Sequence, residues 1–339
     1  MKHLNQFITE YIVKKKLDKP IDSEDHYEYY PKSKEELIEN IKELIKQDNY
    51  DFNCIDTSEI TDMNHLFDDI KIEKNFDISK WNVKNVKDMN SMFNNSLYYF
   101  NCDLSNWDVS KVENMGFMFN YCTSFEGKGL ENWDISNVKH MDMMFNYCTK
   151  FNGKSIENWN VSNVLSARNM FCRCENFDCD LSCWDVSNVE DMEFMFNYCA
   201  SFKGNGLENW NVSNVKRTDM MFNNCAKFSG KSIENWNVSN VLEARNMFCR
   251  CENFDCDLSN WNVSNVENMI SMFLDCKKFK GKGLENWDVS NVKKMNYMFD
   301  NCLHFDCDLN NWDVSNVIDM TNMFYKCDSL KNKPTWYKE

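Results

Sequence analysis

The chain has 339 residues, a formal net charge of −15 and 17 cysteines. An acidic balance of this size disfavours binding to DNA or RNA, because phosphate binding requires a clustered basic surface. No apolar run approaches the roughly 18 residues of a transmembrane helix. We therefore expect neither a nucleic-acid partner nor a membrane span.

The first 54 residues lack the pattern that organises the rest of the chain. Apolar residues at helical spacing predict an amphipathic helix over residues 1–20. Residues 21–54 are predicted to contain a linker and then a second amphipathic helix, which begins at a capping box formed by Ser33 and Glu36. This second helix is expected to cover the apolar end of the repeats that follow.

Residues 55–330 consist of about eleven copies of a unit of 25 or 26 residues. Such a fixed period is typical of a solenoid. Ile55 begins the first unit, and tryptophan begins the other ten, at Trp81, Trp107, Trp133, Trp159, Trp184, Trp210, Trp236, Trp261, Trp287 and Trp312. We number each unit from this residue as position 0. Residues 331–339 are predicted to form a C-terminal tail.

Two periodicities within each unit predict two structural elements. The motif Leu-x-x-Trp-x-Val, as at Leu130 to Ile135, alternates apolar and polar residues and predicts a short strand. Positions 8, 11, 12 and 15 are usually Met, Met, Phe and Cys, and their spacing predicts a two-turn helix. The predicted fold is an α/β, leucine-rich-repeat-like solenoid of about eleven strand-plus-short-helix coils with a helical N-terminal cap.

The motif Trp-Asp-Val-Ser-Asn-Val followed by Met-x-x-Met-Phe, as at Trp184 to Phe196, resembles the BspA-like leucine-rich repeat family of surface proteins. The resemblance covers residues 55–330. It implies binding to proteins or host surfaces, a cell-surface location, and no common catalytic residues. We therefore expect a noncatalytic chain without a cofactor.

Nine cysteines share position 15, which Ser96 and Ile70 fill in the other two units. A position that accepts Cys, Ser or Ile requires a side chain of modest size and not a disulfide. We predict free buried thiols, because the cysteine count is odd and no secretory leader is recognisable. Free thiols favour the cytoplasm or a virion, whereas the family resemblance favours a cell surface, so the location stays open.

Polar side chains at positions 1 and 3 are predicted to point outward, on the side of the strand opposite the tryptophan. Position 1 is always Asp or Asn, and position 3 is Ser in ten of eleven units. This polar stripe predicts a contact surface for a protein ligand or a host surface component. Its candidate residues are Asp108, Asp134, Asn160, Asp185, Asn211, Asn237, Asp288 and Asp313. In the alternative interpretation, these side chains bond the neighbouring backbone at a turn.

Three units form a higher repeat of 77 residues, since the units at Trp159 and Trp236 are nearly identical. Duplication of a three-unit block explains this likeness, so a motif found twice is not by itself a selected site. Two aromatic departures from the repeat, Tyr98-Tyr99-Phe100 and Pro334 to Tyr337, are predicted either to anchor a partner or to fill gaps in the register. Neither the cysteines nor the acidic residues have the spacing of a known zinc or calcium site, so no metal is predicted.

The segment Met1 to Glu10 resembles the capsid-targeting leaders on internal proteins of tailed bacteriophages. Within it, Ile8-Thr9-Glu10 fits the hydrophobic-x-Glu pattern that a maturation protease cuts after. The alternative function is therefore a structural or cargo protein of a phage particle. The sequence leaves the oligomeric state open.

Overall fold

The computed structural model describes residues 27–94 and 100–338. The helix predicted over residues 1–20, the leader-like segment, and Tyr98 and Tyr99 lie outside this part. Within it the α-helix α1 spans Lys34–Lys46. Six single-turn 3₁₀ segments follow, at Phe52–Cys54, Leu130–Asn132, Lys154–Ile156, Leu207–Asn209, Lys231–Ile233 and Leu284–Asn286. No helix in the described residues is long and apolar enough to cross a membrane.

The helix predicted after Ser33 is confirmed as α1. The hydroxyl of Ser33 accepts the backbone N–H of Glu36 at 3.2 Å, as expected of an N-cap residue. The carboxylate of Glu36 accepts from the backbone N–H of Lys32 at 2.7 Å, one residue before the cap. The apolar face of α1 joins the common core through Leu37, Ile41 and Leu44.

The prediction of an α/β, leucine-rich-repeat-like solenoid with strand-plus-helix coils is wrong. Most of the described chain is non-regular, and neighbouring units meet through isolated parallel bridges such as Asn114 to His140, so no β-strand forms in this part. The segment around each tryptophan closes tight turns instead. The N–H of Trp133 donates to the carbonyl of Leu130 at 3.1 Å, for example. Apolar residues that alternate along the sequence are therefore buried by successive turns.

The predicted two-turn helix at positions 8–15 is also absent from the described residues. Position 10 is left-handed in all eleven units and is never glycine, as at Phe117 with a φ of 57°. A left-handed residue interrupts a right-handed α-helix, because its backbone turns in the opposite sense. Separate turns form instead. The backbone N–H of Met118 donates to the carbonyl of Met115 at 3.2 Å, and the backbone N–H of Cys122 donates to the carbonyl of Phe119 at 3.0 Å. These turns still bury positions 8, 11, 12 and 15.

Alternate backbone N–H groups in this segment donate to the next unit. Phe117 donates to the carbonyl of Asp142 at 2.8 Å, and Tyr121 donates to that of Asn146 at 2.8 Å. Both donors are left-handed residues, whereas Phe119, which lies between them, donates to the same neighbouring unit without this conformation. These bonds offset a conformational cost of roughly 1–2 kcal/mol per residue. They also fix the register in which the units stack.

Equivalent side chains of successive units line up in columns, as the repeat predicts. The indoles of Trp133 and Trp159 stack with centroids 6.2 Å apart and planes 3° apart. The indole N–H of Trp133 donates to the carbonyl of Leu104 in the preceding unit at 3.2 Å. In the cysteine column, the Sγ–H group of Cys148 donates to the backbone carbonyl of Phe119 at 3.0 Å. The predicted columns of tryptophan, phenylalanine and cysteine are therefore confirmed.

The aromatic C-terminal tail extends these columns. Trp336 stacks on Trp312 with centroids 6.4 Å apart, and its indole N–H donates to the carbonyl of Leu309 at 2.8 Å. Tyr337 lies edge-on to Phe324 at 5.0 Å. The tail therefore covers the last unit, which agrees with the gap-filling interpretation.

Two other departures from the repeat also pack against neighbouring units. Phe100 is 2% exposed and stacks on Phe93 with centroids 4.2 Å apart. Near the start of the described chain, Tyr29 forms a parallel bridge with Ile55. The end of the segment interpreted as a linker therefore lies against the first unit.

Candidate interaction surfaces

The eight predicted contact residues are exposed, and each also closes a local turn. The Oδ1 atom of Asp134 accepts the backbone N–H of Ser136 at 3.0 Å, and that of Asn160 accepts from Ser162 at 3.2 Å. The same bond forms at Asp108, Asp185, Asn211, Asn237, Asp288 and Asp313. These side chains therefore bond the neighbouring backbone at a turn, as the alternative interpretation predicts. In each aspartate, the second carboxylate oxygen remains available for a ligand.

The row of Asp and Asn side chains at position 1 is called the Asx stripe, and hydrogen bonds favour the charged form of its aspartates. The hydrogen bond from the Ser110 hydroxyl lowers the pKa of Asp108, and the equivalent serine bond lowers the pKa of Asp185. These carboxyl groups therefore stay charged near neutral pH. The neighbouring amide of Asn137 donates to the carbonyl of Ser110 in the preceding unit at 2.7 Å, so this asparagine joins units together.

A second surface, which sequence reasoning missed, follows position 14. Tyr121, Tyr147, Arg173 and Tyr198 lie beside one another in four consecutive units and form a tyrosine–arginine ladder. The rings of Tyr121 and Tyr147 stack with centroids 4.2 Å apart. The Arg173 guanidinium carbon lies 4.8 Å from the Tyr147 ring centroid and 4.3 Å from that of Tyr198. The ladder is a row of aromatic and cationic contacts at the surface.

Positions 7 and 9 of neighbouring units carry a cluster of acidic and basic residues. The side chain of Glu193 is 3% exposed and lies 3.1 Å from Nε of Arg168, while Arg217 pairs with its other oxygen. The side chain of Asp219 is 4% exposed and lies 3.6 Å from Nε of Arg245. Burial, reinforced by Glu193, raises the pKa of Asp219 to about 6 against the lowering effect of Arg245.

Asp219 predicts a pH dependence of stability. Because its pKa is higher in the folded chain, the folded state binds the proton more tightly than the unfolded state does. The bound proton therefore stabilises the fold at low pH, and this stabilisation is lost as pH rises from about 4 to about 6. Asp219→Asn keeps an oxygen for the backbone N–H of Arg245, which lies 3.1 Å away. We compare the free energy of unfolding of this variant with that of the wild type. The difference, variant minus wild type, should be about 1 kcal/mol more positive at pH 7.5 than at pH 5.

Urea unfolding at the two pH values measures this effect. The control is Asp185→Asn, whose carboxyl pKa is lowered in the folded chain, so that stability falls as the group is protonated. That loss occurs only below the ordinary pKa of 3.8, so the control should change little between pH 5 and pH 7.5. An Asp219→Asn difference that is the same at both pH values would contradict the assignment.

The cysteines form no disulfides, and most are buried, as predicted. Burial raises the pKa of the Cys102 thiol to about 11 and that of Cys249 to about 12. Cys183 is the exposed member of the set. Within residues 27–94 and 100–338, no group of three or more His, Cys, Asp or Glu side chains is arranged to hold a metal ion.

Thiol labelling should therefore be selective. Reaction requires the thiolate and access to solvent, so iodoacetamide should modify Cys183 first and the buried cysteines only on unfolding. Peptide mass spectrometry after timed labelling measures the order. Cys183→Ser should remove the fast fraction, and fast labelling of Cys148 in the native protein would contradict the described packing.

Comparison with family models places three consecutive segments in one family. Residues 35–129, 122–232 and 219–337 each match the family described as "Mycoplasma protein of unknown function, DUF285". Together the matches cover nearly all of the described chain. No curated protein matches the chain.

Proposed function

We propose that this chain, which belongs to the DUF285 family of repeat proteins, is a noncatalytic protein-binding protein. The Asx stripe is the observation that carries this proposal. Its Asp and Asn side chains recur once in every unit, and they are exposed in the nine units from Trp107 onward. An extended row of equivalent groups suits a protein ligand that contacts several units at once.

The local hydrogen bonds of the stripe support this role. The bond from Ser136 to Asp134 holds the carboxylate in one orientation before any ligand arrives. A preordered side chain loses less conformational entropy on binding. Charged carboxylates such as Asp108 and Asp185 favour a ligand that presents cationic or N–H donor groups.

The repeat motif supports a narrower version of the proposal. Trp-Asp-Val-Ser-Asn-Val, as at Trp184 to Val189, resembles the repeats of BspA-like surface proteins. In those proteins the repeats are associated with binding to proteins or host surfaces. A surface-exposed protein of a host is therefore the ligand class that we propose to test first.

Capture from a native host lysate, followed by cross-linking, tests the Asx stripe. Replacing Asp134, Asn160 and Asp185 together with Ala should abolish capture of the partner. The matched control replaces Asp56, Asn82 and Asn262 with Ala, because these residues close the same turns but lie outside the eight candidate contact residues. Unchanged capture by the first variant, or equal loss by both, would contradict a contact at the charged part of the stripe.

A structural or cargo role in a phage particle is the second candidate. It rests on Met1 to Glu10, whose Ile8-Thr9-Glu10 fits a maturation cleavage site. Mass spectrometry of purified particles should then find a chain that begins after Glu10. An intact leader in the particle, or no association with particles, would exclude this role.

A further inference from the structure

The internal duplication allows one surface to be compared with its own copy. The blocks that begin at Trp133 and Trp210 share their tryptophan, phenylalanine and position-15 cysteine columns. Their outer surfaces differ at position 14. Tyr147 of the first block corresponds to Asn224 of the second, and Tyr198 corresponds to Asp275. Because both blocks fold alike, the stacking of units does not require these tyrosines.

The arginine between these positions is the same in both blocks, but its surroundings differ. In the second block, Nε of Arg250 lies 3.6 Å from a carboxylate oxygen of Asp275. A surface depression of about 400 Å³ lies there, lined in part by Asn224. In the first block, the tyrosine rings lie on either side of Arg173. No carboxylate of the described residues lies within ion-pair distance of Arg173.

The ladder holds Arg173 in a defined position. Arg173 is left-handed, with a φ of 63°, and its backbone N–H donates to the carbonyl of Asn197 at 2.7 Å. Tyr147 and Tyr198 have the same backbone conformation. The guanidinium carbon lies over both rings, and no guanidinium N–H is bonded to another of the described residues, so its N–H groups remain available for a ligand. The N–H edge of a guanidinium matches the two oxygens of a carboxylate.

We propose that the tyrosine–arginine ladder binds a carboxylate-bearing segment of a protein ligand at the N–H edge of Arg173. The proposal rests on the protein-binding role above and places a contact at position 14 of the units, whereas the Asx stripe lies at position 1. Tyrosine and arginine are the residue types that most often dominate binding energy at protein interfaces. The flanking rings also reduce the solvation of the guanidinium, which strengthens its pairing with a carboxylate.

A labelled peptide tests the proposal directly. The probe is a fluorescein-labelled, C-terminally amidated decapeptide of alternating Glu and Gly, and the comparison probe has Gln in place of Glu. Fluorescence anisotropy should show one binding site per chain for the Glu peptide and binding at least about tenfold weaker for the Gln peptide. A Gln peptide with a free C-terminus then distinguishes a chain-terminal carboxylate from side-chain carboxylates.

The second block supplies matched variants. Arg173→Gln, and separately the pair Tyr147→Asn with Tyr198→Asp, should each weaken binding of the Glu peptide about tenfold or more. Arg250→Gln should leave binding unchanged. The paired substitutions introduce the residues that stand at the equivalent positions of the second block, so the fold is expected to tolerate them.

The reverse exchange provides a gain-of-function test. Asn224→Tyr together with Asp275→Tyr should flank Arg250 with two rings and raise the stoichiometry to about two peptides per chain. The proposal is overturned if the two peptides bind equally to the wild type, or if Arg173→Gln binds the Glu peptide as the wild type does. Lysate capture that survives every ladder variant but is lost on changing the Asx stripe would reject the ladder and retain the protein-binding role.

Discussion

Phe196→Ala should lower the free energy of unfolding by about 4 kcal/mol. The side chain of Phe196 is fully buried, and its ring contacts aromatic rings of its own unit and of both neighbouring units. Its centroid lies 4.3 Å from that of Phe202, 5.6 Å from that of Phe222 and 5.8 Å from that of Phe171. Removing the ring therefore opens a cavity in the middle of the phenylalanine columns.

Denaturant unfolding followed by tryptophan fluorescence measures this loss. The control is Phe194→Ala, two residues away, where the ring is half-exposed and the backbone is left-handed. The control should lose less, about 2 kcal/mol, since part of the Phe194 ring remains in contact with solvent in the folded chain. Equal losses in the two variants would contradict the described orientation of positions 10 and 12.

Gly206→Ala should destabilise the chain by about 3 kcal/mol or more. Gly206 has a φ of +87°, and a Cβ added there would lie 2.2 Å from the backbone nitrogen of Ser182 and 2.7 Å from the carbonyl carbon of Leu181. Both atoms belong to the backbone of the preceding unit, so neither can rotate away. The substitution is expected to separate two stacked units locally.

Thermal unfolding compares this variant with Gly116→Ala. At Gly116 the φ is not left-handed, and the nearest atom to an added Cβ is the side-chain nitrogen of Asn90 at 2.8 Å. That side chain can shift, so the control should lose much less stability. A Gly206→Ala variant with the melting temperature of the wild type would contradict the close approach of the units.

Burial could be predicted from the sequence, while the backbone path could not. The repetition of Trp, Phe and Cys at fixed positions identified the core columns, and the capping pattern at Ser33 identified α1. The spacing i, i+3, i+4, i+7 is shared by a helix and by successive tight turns. The residues that decide between them, such as Phe117 and Tyr121, are left-handed without being glycine, asparagine or aspartate.

The candidate surfaces were predictable to different degrees. The Asx stripe was visible because one residue class fills position 1 in every unit. The ladder was not visible, because position 14 carries different residue types in different units, and the backbone at this position is left-handed. Comparing Tyr147 with Asn224, and Tyr198 with Asp275, would have been the available signal, since these are changes within an otherwise copied block.

Site-directed photo-cross-linking in native host lysate tests the protein-binding role most directly. A photoreactive amino acid is placed at Ser136, next to Asp134 on the Asx stripe, and in a second protein at Lys154, which is exposed at a 3₁₀ turn. We predict a single protein adduct from position 136 and none from position 154. The absence of a protein adduct from position 136, or equal adducts from both positions, would contradict the proposed contact surface.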